Sequence, residues 1–171
     1  MKIAILGTRG IPNNYGGFEQ FAEYLGVGLV QKGHDVTVYN SSLHTYKDNE
    51  FKGIKIVRKY CPEDKIGAFA NFYYDWICSY DASIKDFDIV YHAGYQSAAF
   101  GIKYFASKSK SIWITNMDGI EWKRDKWSKP VKLLTKIMEK MTIANSDYLI
   151  SDNKGIQDYY LNTHNINSYF L

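Results

Sequence analysis

Residues 1–17 read MKIAILGTRGIPNNYGG, a short apolar stretch followed by a loop rich in glycine. The apolar stretch Lys2–Leu6 predicts a buried β-strand that begins almost at the first residue. Residues 18–32 carry apolar side chains at helical spacing, which predicts a helix directly after Gly17. A strand, a glycine-rich loop and a helix in this order are typical of the first unit of a doubly wound α/β fold.

The rest of the chain continues the alternation of short apolar and longer amphipathic segments. Further strands are predicted at 35–40, 54–60, 88–91, 111–115 and 148–151, and further helices at 66–84, 96–106, 130–145 and 154–161. Residues 41–53 are polar and are predicted to form a loop. Because strands alternate with helices, the predicted fold is α/β and Rossmann-like, with a mostly parallel sheet and helices on both faces.

Composition excludes several classes of protein. A length of 171 residues suits one domain, and 46% hydrophobic with 23% charged residues is typical of a globular chain. The net charge of +3 is too small to indicate nucleic-acid binding. Cys61 and Cys78 have neither metal-like nor disulfide-like spacing, which is expected of a cytoplasmic protein. Among the apolar runs, none approaches the ~20 residues of a membrane-spanning helix.

The loop after the first strand is the predicted phosphate-binding element. Gly16 and Gly17 let the backbone approach a phosphate closely, and they precede the amide groups of a helix N-terminus. Arg9 is expected to add a charge-assisted contact, and Asn14 and Tyr15 are expected to face the same ligand. The glycine spacing fits neither a dinucleotide fingerprint nor a P-loop.

Further candidates follow the later strands. Asp118 comes after the strand at 111–115 and is predicted to be a catalytic carboxylate, although Asp-Gly is also a favoured turn pair and a turn role stays open. Glu121 is a second candidate carboxylate. The remaining predicted substrate contacts at this edge are His92, Tyr95 and Asn116, and for the histidine a structural hydrogen bond is the alternative.

Residues 122–129, WKRDKWSK, combine basic and aromatic side chains. Trp122, Lys123 and Arg124 are predicted to bind the acceptor or to contact an anionic membrane surface. The helix that follows has lysines at three- and four-residue steps, and its opposite stripe is predicted to be Val131, Leu134, Met138 and Met141. An ordinary amphipathic helix with a solvated lysine face is the alternative.

Several stretches together resemble a known family. They are residues 7–12 (GTRGIP), 15–19 (YGGFE), 33–39 (GHDVTVY), 116–124 (NMDGIEWKR) with 126–127 (KW), and 151–160 (SDNKGIQDYY). In this order they are similar to the N-terminal domain of bacterial GT-B glycosyltransferases of family 4, in the rhamnosyltransferase-like group. Many members carry a histidine near the position of Asp118, so this chain departs from the family there.

The resemblance implies a two-domain enzyme with its active site between the domains. The N-terminal half holds the acceptor, and the C-terminal half holds the nucleotide-sugar and carries a Glu-x7-Glu signature that does not occur here. The chain is therefore interpreted as the N-terminal half alone, inactive by itself. Residues 167–171 are interpreted as the start of a strand leading into the missing domain, and a last strand that closes the sheet is the alternative.

The implied reaction is a retaining, metal-independent hexosyl transfer. The sugar, rhamnose being one candidate, would move from a nucleotide-sugar to a growing, lipid-linked polysaccharide of the bacterial cell surface. The implied location is cytoplasmic, with peripheral contact at the inner face of the plasma membrane. No cofactor beyond the nucleotide-sugar co-substrate, no metal and no nucleic-acid partner are expected.

Other classes of protein would each require particular sequence features. A stand-alone flavodoxin-like binding or regulatory domain without catalysis fits the same pattern of strands and helices. A Rossmann oxidoreductase would need a dinucleotide fingerprint and an acidic residue at the end of the second strand, where Asn40 stands. An RNA-binding protein would need a stronger basic charge.

Overall fold

The computed structural model, which describes residues 1–14, 16–125 and 127–171, places eight strands in one sheet. In chain order they are β1 (Lys2–Leu6), β2 (Asp35–Ser41), β3 (Glu50–Phe51), β4 (Ile54–Lys59), β5 (Ile89–His92), β6 (Ile112–Asn116), β7 (Tyr148–Ser151) and β8 (Tyr169–Phe170). Their order across the sheet is β3-β4-β2-β1-β5-β6-β7-β8. Neighbouring strands are parallel except for β3, which pairs antiparallel with β4. The mostly parallel sheet predicted from the sequence is confirmed.

The helices are α1 (Gly17–Gln31), α2 (Glu63–Ile66), α3 (Ala70–Ser83), α4 (Ala99–Phe105), α5 (Lys129–Asn145) and α6 (Lys154–His164). The prediction of one continuous helix over 66–84 is wrong, because Gly67 has a positive φ of 57° and a short 3-10 turn separates α2 from α3. The prediction of a loop over 41–53 also missed β3, which forms a two-residue hairpin arm against β4.

The two faces of the sheet carry different numbers of helices. Helix α1 packs on one face, over the apolar side chains of β1, β2 and β4. Helices α3 and α4 pack on the other face, over Leu6, Val90 and Trp113, and α5 lies beside α4. The α1-side of β6 and β7 is less covered, so Ile112 and Tyr148 remain exposed.

Helix α5 buries only part of the stripe predicted for it: Met138 is buried, and Val131 and Met141 are half-buried. Its fully buried residues are Thr135, Met138, Glu139 and Thr142, whereas Leu134 is exposed. The core accepts the Glu139 carboxylate because polar groups of α6 satisfy it: the hydroxyl of Tyr159 donates to Oε1 at 2.9 Å, and Nε2 of His164 lies 3.1 Å from the same oxygen.

The loop between β1 and α1 is held down from the end of β2. Asn40 accepts a hydrogen bond from the amide of Ile11 at 3.0 Å and donates one to its carbonyl at 2.7 Å. Gly10 lies against the same side chain: its φ is +127°, and a Cβ there would stand 2.3 Å from Cγ of Asn40. Asn40 and Gly10 therefore shape the loop, and this role explains the residue at the end of β2.

Candidate functional site

The carboxyl ends of the central strands and the N-terminus of α1 enclose a cavity of about 750 Å³. Five of the predicted site residues line it: Gly17, Asn116, Asp118, Glu121 and Arg124. They come from two separate segments of the chain, and they meet because parallel strands present their carboxyl ends at one edge of the sheet. This edge is where open α/β sheets bind ligands.

A second cavity, of about 300 Å³, lies between the first loop and α3. Thr8, Arg9, Gly16, Asn71 and Asp75 are part of its wall. A smaller cavity of about 130 Å³ is lined by both Asp75 and Asp118. Since Phe18 lines all three, they adjoin one another as one polar recess around this side chain.

Asp118 presents an unpaired oxygen in this recess. Its Oδ1 atom is buried and has no hydrogen-bond partner within the described part of the chain. Burial raises the pKa of Asp118 to about 7, and the negative charges of Glu121 and Asp152 add to the increase. A carboxyl group that is unpaired and titrates near neutrality can accept a hydrogen bond or a proton from a substrate hydroxyl.

Glu121, unlike Asp118, has its hydrogen-bond partners within the protein. Its carboxylate is buried and already accepts hydrogen bonds from Nε of Arg124 at 2.6 Å and from Nε1 of Trp127 at 3.0 Å. These bonds hold the half-exposed Arg124 guanidinium at the edge of the large cavity. Glu121 therefore positions a cation, and the guanidinium is the group suited to an anionic substrate.

Asp75 is a functional candidate that the sequence analysis did not select. It lies on α3, is buried, and accepts a hydrogen bond from the hydroxyl of Ser97. Burial raises the pKa of Asp75 to about 6, and the bond from Ser97 opposes part of the rise. The available signal was an acidic residue beside Tyr74 and Cys78 on the otherwise apolar face of α3.

His92 and Tyr95 are core side chains and do not reach the wall of the large cavity, but Tyr95 lines the small cavity between Asp75 and Asp118. His92 is fully buried, its ring stacks on Trp113 with 5.5 Å between centroids, and burial lowers its pKa to about 3. Tyr95 packs with Met117 and Tyr160, and its hydroxyl accepts a weak hydrogen bond from the amide of Glu121 at 3.4 Å.

Arg9 is part of the wall of the second cavity, and Arg9 and Asn14 also line a smaller cavity beside the end of β2. Nη2 of Arg9 is 2.6 Å from a carboxylate oxygen of Glu63, so the cation predicted to meet a phosphate is already paired within the protein. Nδ2 of Asn14 donates to Thr45 at 3.3 Å. Tyr15 is outside the described residues.

Within the basic and aromatic cluster, Arg124 and Trp127 line the large cavity, whereas Trp122 and Lys123 form a separate surface with α5. Nε1 of Trp122 donates to the hydroxyl of Tyr159 at 3.1 Å, and Nζ of Lys136 stands 3.9 Å above the Trp122 ring. Lys123 lies over the Tyr159 ring at 4.7 Å. Lys126, from the same stretch, is outside the described residues.

No group of three or more potential metal ligands occurs in residues 1–14, 16–125 and 127–171. One Asp-x-Asp sequence is present, Asp86-Phe87-Asp88, but it precedes β5 at the opposite edge of the sheet. There both carboxylates bind Lys2, through its Nζ and its backbone amide.

The mostly parallel sheet, the cavity at its carboxyl edge and the glycine-rich first loop define the class of Rossmann-like α/β domains. Within it, the chain belongs to the family described as a domain of unknown function, DUF1972, whose family model matches residues 1–170. None of the curated proteins matches the sequence.

Two solved structures share the fold. A sucrose-phosphate synthase from Thermosynechococcus elongatus superimposes with a TM-score of 0.73 at 14% identity, over 99% of this chain and 47% of that chain. A second structure under the same name has a TM-score of 0.63 at 13% identity, over 99% of this chain and 86% of that one. The chain thus spans about half the length of the first.

Proposed function

We propose that this chain is the N-terminal half of a glycosyltransferase that moves a sugar from a nucleotide-sugar to a saccharide acceptor. The observation that carries the proposal is the carboxyl of Asp118, whose Oδ1 is unpaired within the described residues, in the wall of the same cavity as the N-terminus of α1. The fold shared with sucrose-phosphate synthase supports it. A donor-binding domain outside this chain would form the opposite side of the cleft.

Helix α1 supplies the groups for the donor diphosphate. Its N-cap residue, Gly16, has no side-chain hydrogen bond to the first turn, and the first amide groups of a helix lack partners within the helix. A Cβ on Gly17 would meet no atom within 4 Å, so the space in front of these amides is open. Aligned amides and the helix dipole stabilise a departing diphosphate, as a metal ion would in other transferases.

Asp118 and Asp75 have different roles in the proposed reaction. In the transfer, the bond from the anomeric carbon to the diphosphate breaks, a bond to the acceptor oxygen forms, and the acceptor hydroxyl loses its proton. Asp118, whose pKa is about 7, accepts a hydrogen bond from the acceptor hydroxyl and takes up the proton that this hydroxyl loses, while the diphosphate leaves with the electron pair of the broken bond. Asp75 and the unpartnered hydroxyl of Thr8 bind acceptor hydroxyls in the second cavity.

The finer features of the proposal follow the family resemblance. The transfer is retaining and metal-independent, the donor is a nucleotide-hexose or deoxyhexose such as a rhamnosyl nucleotide, and the acceptor is a lipid-linked saccharide at the inner face of the plasma membrane. The product belongs to a cell-surface polysaccharide. None of the helices in the described segments is both long and apolar enough to cross a membrane.

A transfer assay tests the function. The full-length protein containing this chain is incubated with a panel of nucleotide-sugars and a lipid-pyrophosphate-linked saccharide, and products are identified by mass spectrometry. We expect one donor to extend the acceptor by one sugar, equally well with and without a chelator. Failure of every donor to transfer, together with no nucleotide binding in calorimetry, would reject the proposal.

Replacing Asp75 with asparagine should raise the acceptor KM about tenfold and leave the donor KM nearly unchanged, because one hydrogen bond to a charged group is lost. Steady-state kinetics with each substrate varied in turn measure this. Asp64→Asn is the matched control, since Asp64 is an exposed carboxylate on the neighbouring helix α2. An unchanged acceptor KM in Asp75→Asn would remove this residue from the acceptor site.

A further inference from the structure

Large aromatic side chains cover the outer sides of α3 and α4. Six of them are between 37% and 74% exposed: Phe69, Tyr73, Trp76, Tyr80, Phe100 and Tyr104. The first four recur at helical spacing and so share one side of α3, opposite the side that packs on the sheet. Helix α3 therefore has an apolar surface on both sides, of which the fold uses only one.

The exposed rings form one continuous surface, here called the aromatic face. The Trp76 ring is 5.4 Å from that of Tyr104, and the Phe72 ring is 6.2 Å from that of Phe100, so contacts join α3 to α4. Contiguous exposed apolar surface of this kind marks an interaction site more often than a free surface.

The charges around the aromatic face are positive. Nζ of Lys108 lies 3.4 Å above the Tyr104 ring, and Lys103 is an exposed residue of α4. The acidic residues of α3 do not oppose them: Asp75 is buried, and Asp81 is bound by Lys59 and Lys85. Helix α4 contains no acidic residue.

Helix α5, which lies beside α4 in the same layer, extends this pattern. Leu133 and Ile137 of α5 are exposed. Lysines lie near these two residues along the same helix, at positions 129, 132, 136 and 140. Its single acidic residue, Glu139, is buried. The layer formed by α3, α4 and α5 thus presents aromatic rings, aliphatic side chains and lysines, with no exposed, unpaired carboxylate from these helices.

We infer that the aromatic face docks on an anionic lipid surface. Tyrosine and tryptophan favour the boundary between lipid and water, and lysines near them bind anionic headgroups. A second copy of the chain fits less well, because a symmetric contact would bring lysine against lysine without a carboxylate to pair with. The basic cluster at Trp122 is a poorer lipid ligand, since the Trp122 ring is half-buried and its Nε1 already donates to the hydroxyl of Tyr159.

Docking here would bring the second cavity close to the membrane. In the first two turns of α3, Asn71 and Asp75 line that cavity, while Phe69 and Tyr73 are exposed beside them. A saccharide attached to a lipid could therefore enter the cavity from the bilayer. This consequence rests on the proposed function, but the docking itself does not.

Vesicle co-sedimentation of the full-length protein tests the inference. The wild type should bind vesicles with about 30% phosphatidylglycerol and leave neutral phosphatidylcholine vesicles largely unbound, and added salt should release it. The triple variant Phe69→Ser, Tyr73→Ser, Tyr104→Ser should bind at least about tenfold more weakly. Each of Lys103→Gln and Lys108→Gln should weaken binding by about fivefold.

Two controls lie on the other face of the sheet. Tyr24 on α1 is 73% exposed, so Tyr24→Ser removes a comparable ring without touching the aromatic face, and Lys32→Gln does the same for a lysine. Both should bind like the wild type. Thermal melts by circular dichroism verify that the variants are folded.

Unchanged vesicle binding in the triple variant, or no binding of the wild type to anionic vesicles, would overturn the inference. If the triple variant instead converts a dimer to a monomer in ultracentrifugation and lipid binding stays as before, the face joins two copies. Transfer to a water-soluble acceptor is measured in parallel. If the triple variant loses vesicle binding but retains transfer, the docking inference is confirmed. If the wild-type protein binds vesicles but transfers no sugar, the proposed glycosyltransferase function is contradicted and the docking inference is not.

Discussion

Replacing Gly17 with leucine should reduce sugar transfer by the full-length protein about 100-fold or more while leaving the fold intact. The side chain would enter the space in front of the first amide groups of α1, where we place the donor diphosphate. Because a Cβ at this position meets no protein atom within 4 Å, the substitution should cost little folding stability. Donor kcat/KM and the thermal midpoint, measured on one preparation, separate the two effects.

Two other glycines serve as controls. Gly28 lies on the same helix and also has no neighbour within 4 Å of a built Cβ, but it is remote from the strand ends, so Gly28→Leu should retain transfer. Gly10→Ala should instead lower the melting temperature, because the added carbon collides with Asn40 at a positive φ. Full activity in Gly17→Leu would contradict the diphosphate site.

Replacing Asp118 with asparagine should lower kcat about 100-fold, because the amide keeps the shape of the carboxyl but cannot take up a proton. In the wild type, kcat/KM should rise as the pH increases through about 7, where Asp118 ionises. The variant should lose this rise. A variant with an unaltered rate and pH profile would indicate that Asp118 is only a turn residue.

The same substitution should stabilise the fold at alkaline pH. The folded protein holds the proton of Asp118 more tightly than the unfolded chain, whose carboxyl has the ordinary pKa of 3.8. Stability therefore falls as the pH rises from about 4 to about 7, and the whole penalty is present above that range. Removing it should raise the free energy of unfolding at pH 8 by about 1–3 kcal/mol, measured by urea denaturation.

A gain in stability together with a loss of turnover is the result that separates function from folding at this position. Active sites commonly retain groups that cost stability. A structural aspartate in a turn would give the opposite result, since its replacement would weaken the turn and leave the rate nearly unchanged.

The strand–loop–helix unit at 1–31 and the parallel sheet were predictable because their signals are local. A buried strand, a glycine pair and a helical period each lie within a few consecutive residues. The incorrect predictions for α3 and α5 can also be traced to particular residues. Gly67 interrupts a periodic apolar pattern without changing it, so the pattern predicts a helix that begins at Ile66 instead of Ala70. In α5 the pattern of apolar residues pointed to Leu134, but polar groups of α6 made Glu139 the buried residue.

The candidate site likewise has one part that the sequence predicts and another that only the tertiary structure decides. That Gly17, Asn116 and Asp118 meet at one edge follows from the parallel order of the strands, which the alternation of segments already implied. Three-dimensional packing alone places Asp75 next to Asp118 around Phe18, pairs Arg9 with Glu63 and buries His92. These contacts join residues distant in the chain, and burial, which raises the pKa of both aspartates, depends on every segment that covers them.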